Sequence, residues 1–173
     1  MERRTGDLKI HTYPDPVLRA RAEELKDIDE NTLLLIDKMI EIMYAAPGIG
    51  LAANQVGDLN RIIVFDRAPD KEGRSPFAII NPEVVNSEGQ VVYEEACLSV
   101  IDFSADVSRS ERVKVRGLDR DGNPVDFEAE GLLSICLQHE IDHLNGTLFI
   151  DHLSSLKRSM YKKKLKKILK REE

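Results

Sequence analysis

An α+β fold is predicted for this chain, with mixed or antiparallel strands around a central helix and an amphipathic helix at the C-terminus. Three observations predict it. Short runs of branched and aromatic residues, bounded by Gly, Pro, Asn and Asp, fill the middle of the chain as strands do. Stretches with apolar residues three or four apart stand before and after them. The strands follow one another without alternating helices, which argues against a βαβ repeat. The 173 residues, 42% apolar and 32% charged, suit one soluble globular domain with a full core.

The elements follow in order. Tyr13-Pro14-Asp15-Pro16 is a turn-rich approach to a short helix. Asp27 and Glu30 have capping-box spacing, and Asp29 could equally open the next helix. Leu33, Ile36, Ile40 and Met43 form its apolar face, which ends near Ala46-Pro47-Gly48, where proline stops a helix and glycine lets the chain turn. Gly48 to Gln55 holds two glycines followed by small residues, and reads either as a tight turn before a small-faced helix or as an active-site wall.

Arg61 to Asp66 and Phe77 to Asn81 are buried strands separated by a polar loop. Val84, Val85, Val91, Val92 and Tyr93 predict a strand pair around a Ser-Glu-Gly turn. Val113 and Val115 alternate with Lys114 and Arg116 as in a half-solvated strand, with Gly117 fitting less cleanly. Asp119 to Pro124 is a hairpin turn into Val125 to Glu128. Gly131 opens a second firm helix, ended by Asn145-Gly146. A last helix, 154–171, carries Leu156, Met160, Leu165, Ile168 and Leu169 at roughly helical spacing.

Charge separates the chain into two parts. Lys157 to Arg171 carries nine Lys or Arg and no acid, so the remaining 16 bases face 31 acids, a body near -15. The net charge of -6 gives no support to general nucleic-acid binding. The charged, proline-broken opening offers no apolar run for a signal peptide, and no run of about eighteen apolar residues offers a spanning helix. Two cysteines are too few for a secreted disulfide scaffold, so a reducing, cytoplasmic setting is expected.

The strongest local signal is His139-Glu140-Ile141-Asp142-His143. On a helix, a spacing of four puts both imidazoles on one face, where they can hold one cation. Glu140 then stands within reach of a water beside it. Leu132, Cys136, His139, Glu140 and His143 recur three or four apart, so the histidines belong to the core-facing side, where unpaired polar rings would be costly. A hydrolytic centre wants three protein ligands and one open position. His152 is one candidate for the third; Cys97, just after a strand, is another. Cys136 reads as a buried core thiol, and a Cys97–Cys136 disulfide is the remaining alternative for the pair. His11 and His152 read as surface or capping residues. Gln55 offers an amide that could donate to an oxyanion.

Taken together, three segments resemble peptide deformylase, the metallohydrolase that removes the N-terminal formyl group from new bacterial and organellar proteins. The family's Gly-x-Gly-x-Ala-Ala-x-Gln motif is met by Gly48 to Gln55. Its Glu-Gly-Cys-Leu-Ser motif is nearly met by Glu95 to Ser99, and its Gln-His-Glu-x-Asp-His segment is met in full by Gln138 to His143. Order and spacing match across nearly the whole chain.

The resemblance implies a single peptide-deformylase-like catalytic domain over 1–173, including the basic helix 154–171. It implies Cys97, His139 and His143 as ligands of one divalent metal ion, with Fe(II) favoured and Zn, Ni or Co as alternatives. A water activated by that ion would attack the formyl carbon, with Glu140 as general base and then acid. Gln55 and the Leu98 backbone N–H would meet the oxyanion, and formate would be released. Ile49, Tyr93, Leu132, Ile135 and Cys136 would line the methionine pocket, with Glu95 at its rim or supporting the site. Backbone groups at Ile49, Gly50 and Ala96 would pair with an extended peptide.

The expected partners are N-formylmethionyl nascent peptides and, through the basic helix, a transient ribosome contact. No membrane and no sequence-specific nucleic-acid binding are expected. A catalytically silent binding protein of the same fold and a general zinc endopeptidase are the competing readings. Three positions depart from the family pattern. Ala96 replaces a glycine, and a glycine-only backbone there would be strained. Ile101 stands where proline is common, and Ser104 where many bacterial members carry arginine.

Overall fold

The computed structural model describes residues 8–173. The first seven residues, part of the stretch read as lacking a signal peptide, lie outside the described residues. A five-stranded antiparallel sheet is built in the order β1-β2-β3-β6-β7, from β1 (Gly50–Ala52), β2 (Ile62–Asp66), β3 (Pro76–Glu88), β6 (Arg112–Leu118) and β7 (Pro124–Glu130). A separate two-stranded sheet pairs β4 (Val91–Cys97) with β5 (Val100–Arg109). Three helices, α1 (Glu30–Ala45), α2 (Gly131–Leu144) and α3 (Ser155–Glu172), complete the frame.

β2 shows why this sheet is covered on both faces. All five of its residues are buried. Ile62 and Val64 meet α1 through Leu35, Ile36, Met39 and Met43, whereas Ile63 and Phe65 meet α2 through Cys136, Leu137, Ile141 and Leu144. A strand with two apolar faces needs an apolar partner on each. α2 is therefore held against the sheet, and its buried set includes Ser134, His139, Glu140 and His143 as well as apolar residues. Phe149 then stacks on the His139 ring from the neighbouring 3-10 turn, Phe149–His152.

Several expectations hold. Pro16–Arg19 is a short 3-10 helix capped by Asp15, and Asp29 caps α1 by accepting from the Thr32 N–H. Asp119 shapes the 119–124 turn by accepting from the N–H groups of Asp121 and Asn123. Gly117 breaks the strand alternation because a Cβ there would lie 2.5 Å from Ile79 Cγ2, where β3 approaches closely.

Others are corrected. The Ser-Glu-Gly turn does not join a strand pair: β3 runs through to Glu88 and pairs with β2 and β6, while β4 pairs with β5. β5 itself was not foreseen. Gly48 to Gln55 makes no α-helix, but strand β1 followed by one 3-10 turn, Ala53–Val56. On α1 the buried face is rotated to Leu35, Ile36, Met39 and Met43, leaving Leu33 and Ile40 half-buried. On α3 only Tyr161 and Leu165 are buried, and Leu156 and Met160 are 70% and 61% exposed. Tyr161 wins that position by packing its ring 4.6 Å from Phe103 and 6.1 Å from Tyr13.

Candidate metal centre

Cys97 arrives at the centre on the tip of the β4–β5 hairpin. A register shift falls between Ala96 and Cys97, Leu98 and Ser99 make the turn, and Cys97 pairs with Val100. A bulge at a hairpin end re-aims a side chain. The Ser99 N–H points at the Cys97 sulfur, 3.4 Å away. Ala96 itself does not adopt a positive φ, so its Cβ brings no backbone strain; in the hairpin that region belongs to Asp102, at φ 50.

His139 and His143 come from one face of α2, as their spacing requires. Their Nε2 atoms lie 3.2 Å apart, and the His143 Nε2 lies 3.3 Å from the Cys97 Sγ. All three donor atoms fall within 4.8 Å of one another. Ligands about 2.0 to 2.3 Å from a tetrahedral ion stand roughly 3.3 to 3.7 Å apart, so this set of one sulfur and two nitrogens fits a single cation. Among the described residues it is the metal-competent cluster, and His11 and His152 are not in it. Both cysteines are free.

His139 is oriented from behind. Its Nδ1 lies 2.8 Å from Glu95 Oε1, and Glu95 in turn accepts from Arg109 at 2.7 and 2.9 Å. Burial opposes ionisation of Glu95, but Arg109 and His139 outweigh it and bring its pKa down to about 2. A carboxylate acceptor puts the proton on Nδ1 and leaves the Nε2 lone pair for a metal. Arg109 also donates to Asp142 at 2.6 Å, and Asp142 meets His152 at 2.8 Å. At His143, burial and the charge of His139 hold the pKa well below the usual range, since two rings this close do not both take protons.

Glu140 is 5% exposed and its Oε2 has no hydrogen-bond partner among the described residues. Burial, and then nearby Glu95, lift its pKa to about 7 against the pull of His139. Gly50 makes room for it: a Cβ there would lie 2.7 Å from Cys136 Sγ and 2.8 Å from Glu140 Oε1. Gln55 is fixed from two sides. Its Oε1 accepts from the Ala52 N–H at 2.9 Å, and its Nε2 donates to Ser99 Oγ at 3.0 Å while standing 3.7 Å from Cys97 Sγ. The N-terminal strap ties both partners down, with His11 N donating to Gln55 O and Tyr13 N to Ser99 O.

These groups open on a cleft of about 460 Å³. Gln55, Cys97, Leu98, His139 and Glu140 line it. Ile49, Gly50, Tyr93, Glu95, Ala96, Leu132, Ile135 and Cys136 line it as well, so the cleft gathers every ligand, catalytic and pocket residue that the resemblance implies except His143, which is buried, while His11, His152, Ile101 and Ser104 lie outside the lining. Glu95 is 4% exposed and bonded inward, a support and not a rim residue. Ser104 donates to the exposed carboxylate of Glu94, which also borders the cleft. Arg109 was missed, because an arginine on an unrecognised strand reads as surface; it stands across from Val91, whereas Tyr93 and Glu95 face Val107 and Ala105, a placement that only the pairing of β4 with β5 reveals.

The family model for polypeptide deformylase matches residues 7–159. A peptide deformylase from Thermodesulfovibrio yellowstonii is 52% identical over 159 residues, covering 92% of this chain and 96% of the relative. One from Pseudomonas aeruginosa is 50% identical over 161 residues, covering 92% and 95%. The crystal structure of a peptide deformylase from Legionella pneumophila superposes with a TM-score of 0.87 at 46% identity, over 95% of this chain and 96% of that one. A plant peptide deformylase reaches 0.89 at 33% identity, over 99% and 93%.

Proposed function

The chain belongs to the peptide deformylase family, and from that premise we propose that Cys97, His139 and His143 hold one divalent cation beside Glu140 as the acid–base group. The enzyme is a metal-dependent hydrolase that removes the formyl group from formylmethionyl peptides. The convergence of the three donors within 4.8 Å, with Cys97 and His139 lining the cleft, carries the reading.

When bound, the cation supplies Lewis acidity and lowers the pKa of a nearby water. The residues do the rest. Glu140, poised near neutrality by burial, takes the proton of the attacking water and returns one to the departing amine. The Gln55 Nε2 amide and the Leu98 N–H meet the oxyanion that develops on the formyl oxygen. Ile49, Tyr93, Leu132, Ile135 and Cys136 seat the methionine side chain. β1 and β4 each lie at the edge of their sheet, which supports pairing of an extended peptide with backbone groups at Ile49, Gly50 and Ala96, the Ile49 carbonyl excepted because it accepts from the Asp66 N–H. Formate and a peptide with a free amino terminus leave.

Fe(II) is the proposed physiological metal, with Zn, Ni or Co able to occupy the same sulfur and imidazole donors. The cytoplasm is the proposed setting, in keeping with two free thiols. No helix among the described residues is long and apolar enough to cross a membrane. The exposed Leu156 and Met160 beside the lysines of α3 support a transient ribosome contact, which would weaken as salt rises.

The test is anaerobic purification, metal analysis and formate release from formyl-Met-Ala-Ser, with the acetyl analogue as control. Rapid formate release with little acetyl cleavage is expected. A fully iron-loaded protein that turns over neither substrate rejects this function.

A further inference from the structure

The two histidines are held by different devices. His139 has Glu95 behind its Nδ1. The Nδ1 of His143 is buried and has no hydrogen-bond partner among the described residues. A metal-binding imidazole needs an acceptor for its other ring N–H, which fixes the tautomer and the plane of the ring.

One other orphan polar atom stands on a residue bonded to His143. Asn54 is fully buried, at 0% exposure. Its Nδ2 donates to the main-chain oxygen of His143 at 2.6 Å and to that of Ala20 at 3.0 Å. Two carbonyls can be met only by the N–H side of the amide, so the orientation of the group is forced. Asn54 Oδ1 is left without a partner among the described residues. A buried donor and a buried acceptor, each unsatisfied and on residues joined by a short hydrogen bond, are the surroundings in which an ordered water is retained.

We propose that Asn54 is the positioning residue for His143, accepting through one buried water the proton on its Nδ1. The inference rests on the reading of His143 as a metal ligand. The amide N–H groups hold the His143 main chain, and the amide oxygen holds its ring. His143 keeps its Nε2 lone pair turned toward Cys97 and His139. Because Asn54 immediately precedes Gln55 in the same 3-10 turn, one short segment sets both a metal ligand and the amide at the reacting end of the cleft. The acceptor is neutral, unlike the carboxylate behind His139, so the two rings are unequal donors to the metal.

The experiment is nitrogen-15 NMR of the zinc-loaded full chain with labelled histidine. His143 is expected as the Nδ1–H tautomer, with a slowly exchanging proton that shows a cross-relaxation contact to a long-lived water. Asn54→Ala is expected to speed zinc release to a chelator roughly 10- to 100-fold, while the His139 Nδ1 signal keeps its position. A His143 ring protonated at Nε2 overturns the proposal, and so does an Nδ1 proton with no water contact. Both are read in the parent protein, so a variant that fails to fold does not shield it. Unchanged zinc release from folded Asn54→Ala overturns it as well. A chain that takes up no zinc removes the metal-centre reading itself, whereas zinc bound through all three residues without the Nδ1 signature removes this inference alone.

Discussion

Glu95 touches His139 and Arg109 with the same carboxylate: Oε1 lies 2.8 Å from His139 Nδ1 and 2.9 Å from Arg109 Nη2. One buried anion thus orients a metal ligand and neutralises a buried cation. Glu95→Gln should destabilise the metal-free protein, by less than the roughly 3–5 kcal/mol of a fully orphaned buried charge, since Arg109 keeps its pair with Asp142. The pH dependence has a defined sign. The folded state lowers the pKa of Glu95 from 4.5 to about 2, so its contribution is present above 4.5 and lost as pH falls toward 2. Urea midpoints of the parent and of Glu95→Gln should therefore converge over that window. A gap that stays constant would remove Glu95 as the cause.

Glu140 and Cys97 should separate cleanly on substitution. Glu140→Gln is expected to keep its metal and lose roughly 10²- to 10⁴-fold in kcat. Cys97→Ala is expected to lose tight metal binding and, with it, formate release. Metal content by elemental analysis alongside formate release checks both. Parent-like behaviour of either variant would reassign its residue.

Ser99 should act through Gln55. Replacing Gln55 by Ala is expected to cost about 10²- to 10³-fold in kcat, the usual loss of one oxyanion donor. Ser99→Ala removes the acceptor at 3.0 Å that aims the same amide. Its loss should be smaller, should fall on kcat with KM little changed, and should vanish in a Gln55→Ala background. An additive double variant would show that the two residues act separately.

Gly50 is the more tightly packed of the two cleft glycines, Gly48 and Gly50. Gly50→Ala sets a methyl group within 2.8 Å of the Glu140 carboxylate and 2.7 Å of the Cys136 sulfur. Overpacking of this kind costs about 1–3 kcal/mol. Thermal unfolding should report that loss, and turnover should drop because Glu140 is displaced. Restored stability and activity in Gly50→Ala with Cys136→Ala would show that the sulfur is the harder obstacle.

What could be read in the sequence divides along physical lines. The His139–His143 pair was legible because helical spacing alone puts both rings on one face. β2 was legible because a strand covered on both sides is a continuous apolar run. β5 carries the alternation of a half-solvated strand, Phe103, Ala105 and Val107 against Ser104, Asp106 and Ser108; what no local pattern shows is the burial of Arg109 at its end, which depends on Glu95 and Asp142 from other elements. Pairing across a sheet is set by tertiary register, so the partner of β4 could not be found from local turn chemistry. The α3 stripe failed for a related reason. Tyr161, which does not belong to the Leu156, Met160, Leu165, Ile168 and Leu169 stripe, takes the buried place because Phe103 and Tyr13 offer it aromatic contact.

Cys97 comes from the two-stranded sheet and both histidines from the helix packed on the five-stranded one. An ion held by all three would fasten one sheet to the other, and ligand binding confined to the folded state raises stability as the ligand concentration rises. The melting temperature should then serve as a gauge of metal occupancy. A preparation carrying little metal would melt early, and one titrated with zinc would climb until the site is full. Metal lost from the site would register as a fall in heat resistance as well as in turnover.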